Sequence, residues 1–311
     1  MLKPSLVRRT YNYFADPRPD LLPALKLTLD PKFKLPIYKI GKYLANLLAN
    51  RIPGIKQVVG QRREVDFSEY MKAYDRTTAT LVPYQKMLSR MVELMDLKGR
   101  EAVVDLGAGT GNLSILAGKQ GGRVISIDCS PEANVIHRQK NPSAMILPVN
   151  IDRSPEEQRE KFIPLGDAGA NRFCAANLWT YIRYREPLYR EIKRILKPAG
   201  VFVLAVEKKG YSPIEIIAAH LQAEYQRYLG QDFLPLTAAI RTYMEFISKY
   251  DDLVIAAQET TKLMRGIAAG EYAVFTENEI VREVEGHGFK VLSCETVYAG
   301  QAILLKLMPK N

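Results

Sequence analysis

The sequence predicts an α/β protein in which buried strands alternate with helices around an open sheet. Three observations favour this class. Residues 102–111 (AVVDLGAGTG) combine an apolar run with a glycine-rich turn, and Asn112 then opens a helical pattern. Further apolar runs follow at 123–128, 144–152 and 173–182, with polar or helical segments between them. The composition is that of an ordinary globular chain, with 47% hydrophobic and 25% charged residues.

Size and composition exclude several classes of protein. The 311 residues correspond to about two domains of ordinary size, or to one enlarged domain. The composition does not match disordered chains, collagen or coiled coils. No window approaches the roughly 18 apolar residues of a membrane span, and residues 1–20 lack the apolar core of a secretory signal. Cys129, Cys174 and Cys294 are widely spaced, which excludes a disulfide framework and a cysteine zinc site and favours a reducing cytoplasm.

The positive charge is concentrated at the start of the chain. The net charge is +10, and residues 1–63 contain 13 Lys or Arg against three acidic residues. The other 248 residues carry 31 charges of each sign. We therefore predict a neutral body with a basic N-terminal extension, residues 1–71. Its charge favours an anionic partner, such as a membrane surface, nucleic acid or an acidic protein.

Within this extension, residues 37–52 (IYKIGKYLANLLANRI) have the periodicity of an amphipathic helix. Apolar side chains such as Ile40 and Leu44 share one face, and Lys39 and Lys42 share the other. Two interpretations stay open. The helix lies in a lipid headgroup layer, where anionic lipid attracts its lysines, or it packs its apolar face on the body of the protein.

The most specific feature is the glycine turn after the first strand. Asp105 stands two residues before Gly107, and three glycines follow the spacing GxGxG. Glycines let the backbone approach a ligand where a Cβ atom would clash. A dinucleotide-binding turn has the spacing GxGxxG and needs no acid before its first glycine. The stretch AVVDLGAGTG resembles the first motif of the class I S-adenosylmethionine-dependent methyltransferases.

This resemblance implies a Rossmann-like sheet of seven strands, one of them antiparallel, with S-adenosylmethionine at the carboxyl ends of the first strands. It extends over 72–210 and 271–311, which we predict to form the methyltransferase core. It implies that Asp128 accepts hydrogen bonds from both ribose hydroxyls, since one carboxylate offers two acceptor oxygens. Asn150 and Asp152 stay open as alternatives beside the adenine. The implied cofactor-binding residues are Asp105, Gly107, Ala108, Gly109, Asn112, Asp128, Cys129, Asn150, Ile151, Asn177 and Leu178.

Residues 211–270 are predicted to form a helical lid between the fifth strand and the last helix. Ser212 and Glu215 have the spacing of a capping box at the start of its first helix. Thr276 and Glu279 have the same spacing before the last helix. Six of the 17 tyrosines lie between 211 and 272. An aromatic lid suits a bulky apolar acceptor, although these rings would equally serve as the lid's own core.

Methylation of an oxygen or an activated carbon also needs a base. Glu207, at the end of the fifth strand, and His220, in the first lid helix, are the candidate catalytic residues. Each has a structural alternative, Glu207 as the start of a solvated loop and His220 as a helix-surface residue. The three histidines are scattered and lack acidic neighbours at ligand spacing, so no metal site is expected.

Three functional interpretations follow from these features. The first is a methyltransferase for a hydrophobic or lipid-like small molecule, cytoplasmic and peripheral on the inner face of a membrane through residues 1–63. The second is an RNA methyltransferase whose basic arm contacts phosphates. The sequence shows no RNA-binding module, so nucleic acid is the weaker partner. The third is a non-catalytic binding protein that keeps the cofactor fold.

Overall fold

The computed structural model describes residues 67–154, 161–231 and 235–310. They form a seven-stranded sheet with helices on both faces. The strands are β1 (Ala102–Leu106), β2 (Arg123–Ile127), β3 (Met145–Leu147), β4 (Ala170–Ala176), β5 (Leu196–Glu207), β6 (Phe289–Val297) and β7 (Ala302–Pro309). The helices are α1 (Phe67–Arg76), α2 (Val82–Met95), α3 (Asn112–Lys119), α4 (Pro131–Lys140), α5 (Arg185–Ile195), α6 (Pro213–Leu229), α7 (Pro235–Ile247), α8 (Tyr250–Ala269) and α9 (Glu277–Gly286).

The strand order places a crevice at the carboxyl ends of β1 and β4. The order is β3-β2-β1-β4-β5-β7-β6. Strands β1 to β5 run parallel, and β7 pairs antiparallel with both β5 and β6. This topology confirms the predicted sheet with one antiparallel strand. Because the order reverses between β1 and β4, their carboxyl ends border the crevice in which open α/β sheets bind ligands.

The central strands are buried on both faces, which explains their continuous apolar sequences. Residues 201–206 of β5 (VFVLAV) alternate between two apolar layers. Phe202 packs in the layer that includes residues of α5 and α9. Val203 packs in the opposite layer, together with Met87 and Met91 of α2. The two layers fix the strand ends from which the functional side chains project.

Two helix starts are capped by local hydrogen bonds, and the one at Thr276 confirms the predicted capping box. At α4, the Ser130 hydroxyl accepts a hydrogen bond from the Ala133 backbone N–H (3.0 Å), and a proline occupies the first helical position. At α9, Thr276 and Glu279 form a complete capping box, in which each side chain accepts from the other residue's backbone N–H. In both places a local bond satisfies N–H groups that the helix itself leaves without a partner.

One other local prediction is wrong. Ser212 makes no side-chain capping bond at α6, and its backbone N–H donates instead to Gln301 Oε1 (2.7 Å). The predicted capping box with Glu215 therefore does not form. Near the start of β5, the LKPAG segment of residues 196–200 belongs to the strand but bulges from it, since successive β4 partners Ala170 and Arg172 pair with Leu196 and Val201. Residues 197–199 between them are exposed.

The range predicted to form a lid, residues 211–270, contains the three helices α6, α7 and α8; we refer to these helices as the lid. Helix α1 begins at Phe67 and so crosses the predicted boundary after residue 71, and it packs against α8. The predicted basic segment 1–63, with its amphipathic stretch 37–52, lies outside the described residues. Within the described ranges, none of the helices combines the length and the hydropathy that crossing a bilayer requires.

Candidate active site

The glycine turn after β1 leaves an open cradle. Gly107 and Gly109 both have a positive φ, +62° and +53°, in the left-handed region that glycine adopts most easily. A Cβ atom added at Gly107 would lie 2.6 Å from Leu178 Cδ1. One added at Gly109 would meet nothing within 4 Å. A side chain at Gly107 would displace the Leu178 side chain, whereas Gly109 faces free space at the carboxyl end of β1.

Asp128 closes the β2 side of this cradle. One carboxylate oxygen accepts from the Gly109 backbone N–H (2.8 Å), and the other accepts from the Ser130 backbone N–H (2.8 Å). Burial raises the pKa of Asp128, and the two N–H groups oppose that shift. The carboxylate is half-buried and Cys129 beside it is exposed. Each oxygen keeps a further lone pair, which suits a ligand with two neighbouring hydroxyl groups.

Asp105 faces the protein interior. Its carboxylate accepts a hydrogen bond from the Ser114 hydroxyl (2.6 Å) and a longer one from the Cys174 thiol (3.6 Å). Ser114 is also hydrogen-bonded to Ser126 (2.8 Å). The residue is 1% exposed, and burial raises the pKa of Asp105 to about 7. The acid of the first motif thus connects β1 to α3 through Ser114 and stabilises the glycine turn from the interior side.

The structure distinguishes the two alternatives on the adenine side. Asp152 Oδ1 accepts from the backbone N–H groups of Arg183 and Tyr184 (2.9 and 3.1 Å), so this carboxylate fixes the segment before α5. Asn150 is exposed, and its side-chain oxygen accepts from the Asp152 N–H (3.0 Å). Ile151 between them is buried. The geometry therefore favours Asn150 as the residue that is available to a ligand.

Asn177 and Leu178 lie where β4 ends, facing the glycine turn. Asn177 has a φ of +53°, which a non-glycine residue seldom adopts, and its backbone N–H donates to Ala205 of β5 (3.0 Å). Its side-chain oxygen is buried and has no hydrogen-bond partner among the described residues. A buried acceptor without a partner is costly, and a ligand that donates a hydrogen bond would satisfy it.

A polar cluster that the sequence did not reveal flanks the turn on its other side. The Thr110 hydroxyl donates to Asp75 of α1 (2.8 Å). Lys140 Nζ lies 2.7 Å from Asp75 and 2.5 Å from Asn112 Oδ1. Asn112, a predicted cofactor residue, is thus held by its neighbours at the start of α3. The sequence signal for the cluster is weak, because its members come from three separate helices and the turn.

The candidate base Glu207 is buried at the end of β5. It is 4% exposed and accepts a hydrogen bond from the Thr180 hydroxyl. Burial raises the pKa of Glu207 to about 7. Burial and then the charge of Glu207 raise the pKa of Tyr211 above its ordinary value. Lys208, the next residue along the chain, forms its ion pair with Glu277 (3.9 Å) and not with Glu207. The interpretation of Glu207 as the start of a solvated loop is therefore wrong.

His220 lies elsewhere, at the joint between the lid and α2. Its Nδ1 accepts from the Val82 backbone N–H (3.3 Å). It lines a cavity of about 110 Å³ together with Glu224, Lys249 and residues of the 77–81 segment. Burial lowers the pKa of His220, which favours the neutral ring. The structure thus separates the two candidate bases and leaves Glu207 as the one at the strand ends.

The other two histidines have structural surroundings. His137 is fully buried against Gly111, and neither of its ring nitrogens has a partner among the described residues. His287 stacks on Tyr189 with ring centres 4.5 Å apart. Across the part of the chain that the structure describes, no group of three or more His, Cys, Asp or Glu side chains is placed to hold a metal ion.

These residues fit S-adenosylmethionine. The free space at Gly109 lets a ligand lie close to the protein backbone. The two carboxylate oxygens of Asp128 suit the two hydroxyl groups of a ribose. The unpartnered Asn177 oxygen suits the donor groups of the amino-acid end of the cofactor. The three features surround one crevice, because β1, β2 and β4 are neighbours in the sheet.

Comparisons with known proteins find one matching family model and several solved structures of similar fold. A family model described as a methyltransferase domain matches residues 104–204. A complex of the Haloferax volcanii Trm112 methyltransferase activator with a protein described as a methyltransferase aligns at 14% identity and a TM-score of 0.50, covering 79% of this chain and 95% of that chain. None of the curated protein sequences compared with the chain matches it.

Two other solved structures align over similar lengths. An Aquifex aeolicus S-adenosylmethionine-dependent methyltransferase is 18% identical, with a TM-score of 0.47, and covers 79% of this chain and 100% of that chain. A Burkholderia thailandensis 1,6-didemethyltoxoflavin-N1-methyltransferase, with bound 1,6-didemethyltoxoflavin and S-adenosylhomocysteine, is 14% identical. Its TM-score is 0.48, with 79% of this chain and 85% of that chain covered. At these identities the likeness concerns the fold alone.

Proposed function

We propose that this chain methylates an oxygen or an activated carbon of a hydrophobic or lipid-like small molecule, with S-adenosylmethionine as the methyl donor and Glu207 as the base. The match of residues 104–204 to a methyltransferase domain supports the reaction class. The observation that carries this proposal is the buried carboxyl at the end of β5. A base in this position serves acceptors whose proton must leave as the methyl group arrives. A general base works best when its pKa is near the working pH, and burial raises the pKa of Glu207 to about 7.

Each residue of the crevice has a part in this reaction. When bound, S-adenosylmethionine supplies a methyl group that its positive sulfonium already activates. Asp128 and the glycine turn bind and orient the cofactor, and Asn177 fixes its amino-acid end. With cofactor and acceptor bound, the bond between the methyl carbon and the sulfur would break as the bond between the methyl carbon and the acceptor forms, and the sulfur would leave as a neutral thioether. The Glu207 carboxylate would take the proton that the acceptor loses. Thr180 holds that carboxylate in place, so alignment and proton removal are the protein's contributions.

The apolar character of the acceptor is supported by the rings around Glu207. Tyr70, Tyr211 and Tyr298 lie near enough for the charge of Glu207 to contribute to their raised pKa values, of which burial is the main cause. Tyr181 and Tyr272 form an edge-to-face pair with centres 5.3 Å apart. Aromatic walls favour a flat or apolar ligand. The basic segment 1–63 supports an encounter with that ligand at an anionic membrane.

Methyl transfer from labelled S-adenosylmethionine tests the acceptor class. The full chain is incubated with a lipid extract, a pool of water-soluble metabolites and bulk RNA, each in parallel with Glu207→Gln. We expect label in the lipid extract with the native chain and at least about a hundredfold less with Glu207→Gln. Label in RNA alone would refute the proposed acceptor and support the RNA interpretation. Full activity of Glu207→Gln would refute its role as the base.

Vesicle flotation tests the membrane step. The double variant K39E/K42E reverses two charges in the predicted amphipathic stretch, and K86E/K119E changes the net charge equally at exposed lysines of the body. We expect native chain and K86E/K119E to float with anionic vesicles, and K39E/K42E to remain in solution. Flotation that is equal for both variants would contradict docking through this stretch.

A further inference from the structure

Adjacent residues of α1 contact the glycine turn and the lid. Asp75 Oδ1 accepts from the hydroxyl of Thr110, a residue of the glycine turn that is 1% exposed. Arg76 forms a two-point ion pair with Asp252 of lid helix α8, with N–O distances of 2.8 and 2.5 Å. The two side chains leave α1 at successive positions, so one end of one helix joins two parts of the site that lie far apart in the sequence.

The contact with the turn is tight. Lys140 Nζ lies 2.7 Å from Asp75 and balances its charge. The same ammonium donates to Asn112 Oδ1 (2.5 Å), and Asn112 Nδ2 donates to the Thr110 hydroxyl (3.1 Å). Thr110 and Asn112 stand on either side of Gly111. The turn therefore cannot move without disturbing the carboxylate of α1.

The contact with the lid lies at the protein surface. The side chain of Arg76 is 57% exposed and that of Asp252 is 18% exposed. Exposed ion pairs contribute little to stability, so this one orients the lid without being needed for folding. A second contact follows nearby, where Lys249 Nζ donates to the Thr80 hydroxyl (2.8 Å). Both partners on the lid side lie at the start of α8.

We propose that Asp75 and Arg76 are positioning residues that couple occupation of the glycine turn to docking of α8. This inference rests on the proposed function, because it concerns the same crevice. A ligand in the turn immobilises Thr110 and, through Asp75, the end of α1. The C-terminal end of α1 then holds Arg76 in the position at which it pairs with Asp252, which favours the docked lid. A ligand shifts such an equilibrium only by binding one of the two lid states more tightly. The contacts that run from Thr110 through Asp75 to Arg76 give the docked state this advantage.

Hydrogen–deuterium exchange on the full chain, with and without S-adenosylhomocysteine, tests the coupling. In the native chain we expect this ligand to slow exchange in the turn, residues 107–112, and to slow it about fivefold or more in α8, residues 250–269. In Arg76→Ala, protection of the turn should persist while the protection of α8 is lost. Calorimetry should show binding about two- to fivefold weaker.

Two further variants separate coupling from general damage. Lys262→Ala removes the 2.6 Å pair with Glu259 inside α8 and should leave the ligand-dependent protection of α8 intact. The charge-swapped double variant R76D/D252R should regain the protection that R76D and D252R each lack. Failure of the double variant to regain it would overturn the pairing as the mechanism.

The remaining outcomes distinguish this inference from the proposed function. If S-adenosylhomocysteine binds and protects the turn, but protects α8 equally in native chain and Arg76→Ala, the coupling is overturned and the proposed function stands. If the native chain neither binds this ligand nor protects the turn, both are overturned.

Discussion

Replacing Gly109 with alanine should separate cofactor binding from folding. The added Cβ atom meets no protein atom within 4 Å, so the substitution introduces no clash inside the fold. Its structural cost is the positive φ of +53°, which an L-residue adopts at a penalty of about 1–2 kcal/mol. For a chain of this size, each kcal/mol lowers the melting temperature by about 1–2 °C.

The effect on the cofactor should be larger than the effect on stability. The same Cβ atom occupies the space in which we place the cofactor beside Asp128. Overpacking by one carbon costs about 1–3 kcal/mol, which corresponds to roughly 5- to 150-fold in affinity. Calorimetric titration with S-adenosylhomocysteine measures this loss, and a thermal melt of the ligand-free chain measures the cost of backbone strain.

Gly99 provides the matched control. It has a φ of +106°, and a Cβ atom added there also meets nothing within 4 Å, but it lies in the turn before β1, at the opposite end of the strand. Gly99→Ala should lower the melting temperature and leave the affinity unchanged. If Gly109→Ala bound S-adenosylhomocysteine within twofold of the native chain, the cradle would not be the cofactor site and the reasoning would be refuted.

Four other variants test two titrating groups and two helix starts. The pKa of Glu207 is about 7 and a base acts when deprotonated, so the methylation rate should rise with pH through about 7, and Glu207→Gln should abolish that limb of a pH–rate profile. The pKa of Asp105 also lies near 7, above its ordinary value, so the fold favours the neutral carboxyl. The free energy of unfolding should therefore fall as pH rises from about 4 to about 7, and Asp105→Asn should reduce that fall in urea titrations at pH 5 and pH 8. Thr276→Ala removes a formed cap and should cost about 1 kcal/mol, whereas Ser212→Ala, with no side-chain capping bond to lose, should leave the thermal melt nearly unchanged.

Much of the fold could be predicted because its signals are local. The apolar runs of β1 and β5, the glycine spacing after Asp105 and the start of α4 at Ser130 each depend on a few consecutive residues. The parallel order of the strands then follows from the alternation of strands and helices. The position of Glu207 at a strand end was predictable for the same reason.

Other features depend on partners that no local pattern reveals. Ser212 and Glu215 have the spacing of a capping box, but the Ser212 backbone N–H donates its hydrogen bond to the side chain of Gln301, 89 positions away. Asp105 has the position expected of the family's acid, and the sequence does not show that Ser114 and Cys174 turn its carboxylate inward. In both cases the local motif predicts the position of the residue in the fold. Its hydrogen-bond partners, however, depend on tertiary contacts.

The joint between α1 and the lid is the clearest case. Arg76 and Asp252 lie 176 positions apart, and nothing in either local sequence selects one as the partner of the other. Only the fold places them together, because α1 packs on α8 beside the crevice. The same helix places Asp75 on Thr110, so two unremarkable charged residues acquire linked roles through position alone. Their linkage is therefore a property of the tertiary arrangement, and substitutions that exchange the two charges test it more directly than any comparison of sequences.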